Sequence, residues 1–366
     1  MIGRLGIAMV LVVGLANLPF MAPAKAGPAL LFEPQTGKVL YAEDQDHHWH
    51  PASLTKIMTA YLTLDALKTG RLKPDQKLPV SEKANAQDPS KIGLGVGRDI
   101  TAELALRALI VKSANDAAVI LAEGIAGSEE DFVRLMNDTA KRLGMKRTTF
   151  VNTNGLPAPD QVTTARDLAR LSLALLKDFP DQNHLWAEVE VQIGKKRLRT
   201  HNGLLRTFEG ADGIKTGFIC DSGYNVVASA TRDGRRLVAV VLGETSGHER
   251  SIRAASLLEH GFQMYGWKQV FNATTLESLP VAEEPKGAAS IRQTVHNWAC
   301  NGRRHPGRQI VAKKRKAPVA TPAATAAAPD AKPKTVKAKA AAKATVETPA
   351  APAAPPKKAP PAKAPQ

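Results

Sequence analysis

The apolar pattern of this chain changes period twice, and the order of those changes restricts the fold more than any other feature. Ala29 to Tyr41 alternates around Pro34-Gln35-Thr36-Gly37, the form of a β-hairpin. From Ser53 to Leu67 the apolar positions Ile57, Ala60, Tyr61, Leu64 and Leu67 follow helical spacing, with Gly70 as a stop signal. Further helices are predicted at Thr101 to Val111, Asn115 to Ile125, Glu129 to Leu143 and Thr164 to Lys177. Strand-like residues return from Gly213 to Cys220. Val226 to Thr231 and Leu237 to Val241 then flank Arg232-Asp233-Gly234-Arg235, a tight-hairpin signal, before a last helical stretch from Arg250 to Tyr265. Strands early and late with helices between them predict an α+β fold, an antiparallel sheet flanked by helices. No internal repeat is visible.

The pattern stops near Pro280, and here composition matters. Val281 to Gln366 holds 13 of the 25 prolines and +13 of the chain's net +16, with alanine its commonest residue, whereas Gly27 to Pro280 carries only +1. Such a stretch buries too little apolar surface to order itself, so 311–366 reads as a disordered Ala/Lys/Pro-rich basic tail and 276–310 as a linker. At the other end, Met1 to Ala26 combines Arg4, an apolar run from Leu5 to Phe20 and a small-x-small Ala24-Lys25-Ala26, the layout of a secretory signal peptide. Cleaved, or kept as an anchor, it implies an exported protein of the periplasm or cell envelope with a folded body at 27–275. Export excludes the nuclear-address reading of Lys313-Lys314-Arg315-Lys316, so no nucleic-acid partner is expected.

Three short elements carry chemistry. In His50-Pro51-Ala52-Ser53-Leu54-Thr55-Lys56, Ser53 and Lys56 lie three residues apart at a helix start, near enough for the amine to take the hydroxyl proton once burial or a second cation lowers its pKa. Ser113-Ala114-Asn115 joins two helices and offers a hydroxyl that relays a proton and an amide that both donates and accepts. Each of these reads equally as helix capping when taken alone. Lys215-Thr216-Gly217 sits on a late strand, where an ammonium and a hydroxyl bind a carboxylate and glycine admits close approach. Lys68-Thr69-Gly70 repeats the tripeptide, but at a helix C-terminus, where capping explains it.

In this order and separation the three elements resemble those of the low-molecular-weight penicillin-binding proteins, the serine D-Ala-D-Ala carboxypeptidases. The likeness runs from about Ala29 to Trp267 and includes Pro51 to Tyr61, Lys112 to Ala118, Phe150 to Pro157 and Asp212 to Ser229. It implies a β-lactamase/DD-peptidase-like domain with an all-helical subdomain, and hydrolysis through an acyl-enzyme on Ser53 with Lys56 as base. Ser113 would pass a proton to the leaving D-Ala, and Asn115 would hold the substrate amide. Lys215 and Thr216 would bind the terminal carboxylate beside Gly217, and the N–H groups of Ser53 and Phe218 would form the oxyanion hole. Peptidoglycan stem peptides are the implied substrates and β-lactams the implied acylating inhibitors, with no cofactor or metal.

The resemblance has gaps. His201 stands where some members have Arg, and neither a second β-sandwich nor an amphipathic anchoring helix is visible after Asn272. Ala114 in place of Asp disfavours a β-lactamase. A DD-endopeptidase or transpeptidase remains an enzymatic alternative. A protein of another class would bind an anionic envelope surface through the basic tail, which intact motifs disfavour. Cys220 and Cys300 leave two readings open, a disulfide in an oxidising envelope or two free thiols. His47, His48 and His50 lack the acidic or thiol partner that a metal set needs.

Overall fold

The computed structural model describes residues 27–271, 274–283, 288–297 and Cys300, with side chains to residue 264 in the last helix. The chain divides into units 1–308 and 309–366. The expected signal peptide, the expected basic tail and all of the second unit lie outside the described residues.

Strands β1 (Ala29–Phe32) and β2 (Val39–Glu43) form the first hairpin. A 3-10 turn over Ala52–Thr55 leads into α1 (Lys56–Lys68). Next come β3 (Lys77–Pro79), α2 (Glu82–Ala86), β4 (Asp99–Thr101), α3 (Ala102–Val111), α4 (Asn115–Ala126), α5 (Glu129–Arg142) and α6 (Ala165–Asp178). A small hairpin of β5 (Glu190–Ile193) and β6 (Lys196–Arg199) precedes α7 (Leu204–Thr207), β7 (Ala211–Ile219), β8 (Gly223–Arg232), β9 (Arg235–Glu244) and α8 (Gly247–Phe271). Helix starts coincide with the capping residues. Thr101, Ser128 and Thr164 each accept a hydrogen bond from the backbone N–H three residues on.

The main sheet is antiparallel with order β2-β1-β9-β8-β7, so the first hairpin pairs with the last strands as expected. Period-2 alternation divides the core into two layers. Leu30, Phe32, Val227, Val238 and Val240 face the large helical cluster that contains α1, α3, α4 and α6, while Leu31, Val226, Leu237, Ala239 and Val241 face α8. Helix α1 departs from the expectation of one apolar face: ten of its thirteen residues are buried, Lys56 among them. It runs through the helical layer with neighbours on every side, the environment that an all-round apolar helix requires.

The packed body extends past the boundary expected at residue 275. Arg166 forms a buried ion pair with Asp46 at 2.6 Å, and its other N–H groups donate to the carbonyls of Leu279 and Pro280 at 2.9 and 2.7 Å. Leu276 and Val295 are buried. The two cysteines form a disulfide, with Cα atoms 5.3 Å apart, which settles the two readings left open by the sequence.

Candidate active site

Ser53 lies in the single 3-10 turn before α1. In that geometry residues i and i+3 eclipse one another, which stacks the Ser53 side chain on that of Lys56. Two glycines let neighbouring backbone close on this turn. A Cβ on Gly217 of β7 would lie 3.1 Å from the Ser53 nitrogen, and one on Gly155 would lie 3.0 Å from it and nearer still to the Ala52 carbonyl. The close approach that requires glycine at position 217 is therefore to the nucleophile's own turn, where the sequence reading expected it to be to a ligand. Ala52 itself has φ +48, a left-handed conformation whose cost the surrounding packing must offset.

Lys56 is buried and has three neighbours of use: Ser53 Oγ at 3.0 Å, Asn115 Oδ1 at 2.7 Å and the backbone carbonyl of Asn154. Burial and then the charge of Lys215 hold its amine well below the ordinary lysine pKa, against an opposing pull from Asp116. A neutral amine has two N–H donors and one lone pair. With the donors directed at the two fixed oxygens, the lone pair faces the Ser53 hydroxyl. This is the arrangement of a general base and a serine nucleophile.

Between α3 and α4, Ser113 takes φ +60 and lines the cleft. Asn115 gives its Oδ1 to Lys56 and one N–H to the Asp88 carbonyl at 2.7 Å, which leaves one N–H for a ligand. Buried Asp116 accepts from the backbone N–H groups of Ile92 and Gly93, both at 2.9 Å, and so pins the loop that brings Pro89 and Ser90 to the cleft.

The opposite wall is β7, the edge strand of the sheet. Thr216, Gly217 and Phe218 line a cleft of about 390 Å³ together with Ser53, Ser113 and Asn115. Lys215 does not line it. Its side chain is buried, donates to the Thr216 carbonyl at 2.9 Å, and is pushed down to a pKa of about 7 by burial and then by Arg250.

Arg250, in the first turns of α8, is the residue that motif reasoning missed. It lines the cleft, is 9% exposed, and has no carboxylate partner among the described residues; burial lowers its pKa to about 10, so it stays charged. A guanidinium so placed is a ready partner for an anion. His201 lines the same wall, and burial followed by the charges of Lys112, Lys215 and Arg250 pushes its ring down to about 4. Its imidazole is therefore neutral at pH 7, unlike an Arg in that place. Asn154 was missed as well, because it acts through a main-chain carbonyl that leaves no side-chain signature. Lys68 donates to the Asp178 carbonyl at 2.9 Å, away from the cleft, as its helix-end position implied.

The site therefore joins a serine beside a buried amine, a second hydroxyl and a wall rich in basic side chains. Residues 17–246 match the family described as D-alanyl-D-alanine carboxypeptidase, peptidase S11. The chain is 39% identical over 243 residues to D-alanyl-D-alanine carboxypeptidase DacC of Escherichia coli (strain K12), a match covering 64% of this chain and 61% of that relative. It thus spans less than two thirds of that relative's length. Among solved structures it is similar to penicillin binding protein 6B from Escherichia coli, with TM-score 0.62 and 37% identity over 68% of this chain and 81% of the other. It is also similar to penicillin-binding protein D2 from Listeria monocytogenes in the cefotaxime-bound form, with TM-score 0.60 and 34% identity over 65% of this chain and 97% of the other.

Proposed function

Since the chain belongs to the D-alanyl-D-alanine carboxypeptidase family, we propose that it removes the terminal D-Ala from peptidoglycan stem peptides through an acyl-enzyme on Ser53. The observation that carries this reading is the buried Lys56 amine, 3.0 Å from Ser53 Oγ and held by the oxygens of Asn115 and Asn154.

Ser53 Oγ attacks the carbonyl carbon of the penultimate D-Ala as its proton passes to Lys56 Nζ. The oxygen of the tetrahedral intermediate faces the backbone N–H groups of Ser53 and Phe218, and the outward peptide groups of an edge strand are free of sheet partners. Collapse breaks the C–N bond. The leaving nitrogen takes a proton from the Ser113 hydroxyl, which Lys56 replenishes. Water then attacks the ester with Lys56 again as base, releasing the shortened peptide and free Ser53. Thr216, Lys215 and Arg250 attract the terminal carboxylate, and the remaining N–H of Asn115 faces the peptide chain.

β-Lactams present a carboxylate and a reactive carbonyl in similar relation, so they acylate the same serine. The Cys220–Cys300 disulfide supports a location outside the cytosol, where thiols oxidise and this substrate is found. Incubation with a pentapeptide ending in D-Ala-D-Ala should release one D-Ala per chain. No release by protein with intact Ser53 would refute the reading, and cleavage confined to cross-linked muropeptides would replace it with an endopeptidase.

A further inference from the structure

The family match ends at residue 246, yet a segment far beyond it lies against the cleft wall. The Ile291 N–H donates to the Asp221 carbonyl at 2.9 Å, and the His296 N–H to the Thr245 carbonyl at 2.8 Å. The segment is thereby tied both to the β7–β8 turn and to the end of β9. Ser290 and Arg292 grip the Asp221 carboxylate at 3.0 and 3.1 Å. Ile291 packs so closely on Gly223 that a Cβ there would lie 2.4 Å from its Cδ1. The disulfide to Cys220, one residue after β7, closes the strap.

One contact of this strap reaches the cleft. Asn297 Nδ2 donates to the Tyr224 hydroxyl at 3.1 Å. The Tyr224 ring lines the cleft, packs on Phe218 with centroids 4.3 Å apart, and lies 5.9 Å from the Arg250 guanidinium. Tyr224 therefore stands between the strap and the group best placed to take a substrate carboxylate. A tyrosine fixed at its hydroxyl end cannot swing away from either neighbour.

Resting on the carboxypeptidase reading, we propose that the disulfide-closed strap is a specificity element, in which Asn297 acts through Tyr224 as a positioning residue for the wall that receives the carboxyl-terminal residue. The wall borders the carboxylate position, so its placement sets the room for the side chain of that residue. It bears on binding of the terminal residue, and among the described residues no hydrogen bond joins the strap to Lys56 or Ser53.

The test compares peptides ending in D-Ala-D-Ala and D-Ala-D-norvaline, using the full chain with its disulfide intact. Loss of one neutral hydrogen bond in Asn297→Ala should raise KM for the D-Ala peptide about five-fold with kcat unchanged, and discrimination against D-norvaline should relax. Cys300→Ser should act in the same direction. In a Tyr224→Phe background, the effect of Asn297→Ala on KM and on discrimination should shrink, because the hydroxyl it holds is gone; an undiminished effect would place its action elsewhere. Equal KM and equal discrimination in wild type and Asn297→Ala, or a fall in kcat alone, would overturn the inference while leaving the carboxypeptidase reading in place. A wild type that cleaves neither peptide would instead overturn that reading, and this inference with it.

Discussion

The two walls of the cleft handle their polar groups in opposite ways. On the helical wall, the Lys56 amine and the Asn115 amide are bonded to each other and to the carbonyls of Asn154 and Asp88, and a single Asn115 N–H is left for a ligand. On the strand wall, Lys215, His201 and Arg250 crowd positive or potentially positive groups together, and Arg250 has no carboxylate partner among the described residues. A satisfied network fixes geometry, which bond-making requires. An unsatisfied buried charge is costly until an anion arrives, which suits recognition. On the proposed reading, the bond-making chemistry falls to the helices and carboxylate binding to the strand and α8.

The comparison breaks first if the helical wall is not where the chemistry lies. Lys56→Ala should lower the rate of acylation by penicillin about 10²- to 10⁴-fold, the range for loss of a general base, with the thermal transition retained. A stopped-flow acylation trace that matches wild type would assign the base elsewhere. The strand wall should respond differently. Arg250→Ala removes a charge-assisted bond and should raise KM for a carboxyl-terminal peptide about 10- to 100-fold with a much smaller change in kcat. Steady-state kinetics showing a loss in kcat alone would merge the two walls into one.

Acidity sharpens the contrast by a smaller amount. Lys56 works when neutral, so kcat should rise with pH as it passes through the Lys56 pKa, which lies well below the ordinary lysine value. Lys215 is charged below about 7 and loses that charge above it, so substrate binding should weaken as pH rises beyond 7. The profile of kcat/KM then combines a rising limb from Lys56 with a falling limb from Lys215, and Arg250, charged to about 10, keeps part of the affinity on the falling limb. A bound carboxylate raises the pKa of Lys215, so the basic limb in kcat should lie at higher pH than in kcat/KM. A basic limb that disappears in Lys215→Gln would identify its source, and one that persists there would contradict it.

The sequence made the helical wall easier to read than the strand wall. Ser53 and Lys56 interact across three residues, and Ser113 and Asn115 across two, so local spacing exposes them before any tertiary contact is known. The helix starts expected from apolar spacing at Thr101, Glu129 and Thr164 lie within about a residue of the observed ones, where Thr101, Ser128 and Thr164 cap them through local bonds. Arg250 was legible only as a polar residue near a helix start. Its unpaired burial arises because α8 packs on β8 and β9 beside the cleft, a tertiary contact that local spacing does not reveal. The 3-10 turn at Ser53 was read as α-helix, since both give an apolar residue every three or four positions. The hairpin of β5 and β6, four residues each, was too short and too charged to show alternation. The strap beyond residue 275 shows neither helical nor strand periodicity, so it reads as a linker, although Leu276 and Val295 are buried.

The central claim is that Ser53 carries the acyl group because Lys56 lies beside it as a neutral base. Peptide mapping by mass spectrometry after brief exposure to penicillin tests this most directly. A mass increase of one penicilloyl group on the peptide containing Ser53, absent in Ser53→Ala, is the predicted result. An adduct on Ser113, or a protein left unmodified with Ser53 and Lys56 intact, would contradict it.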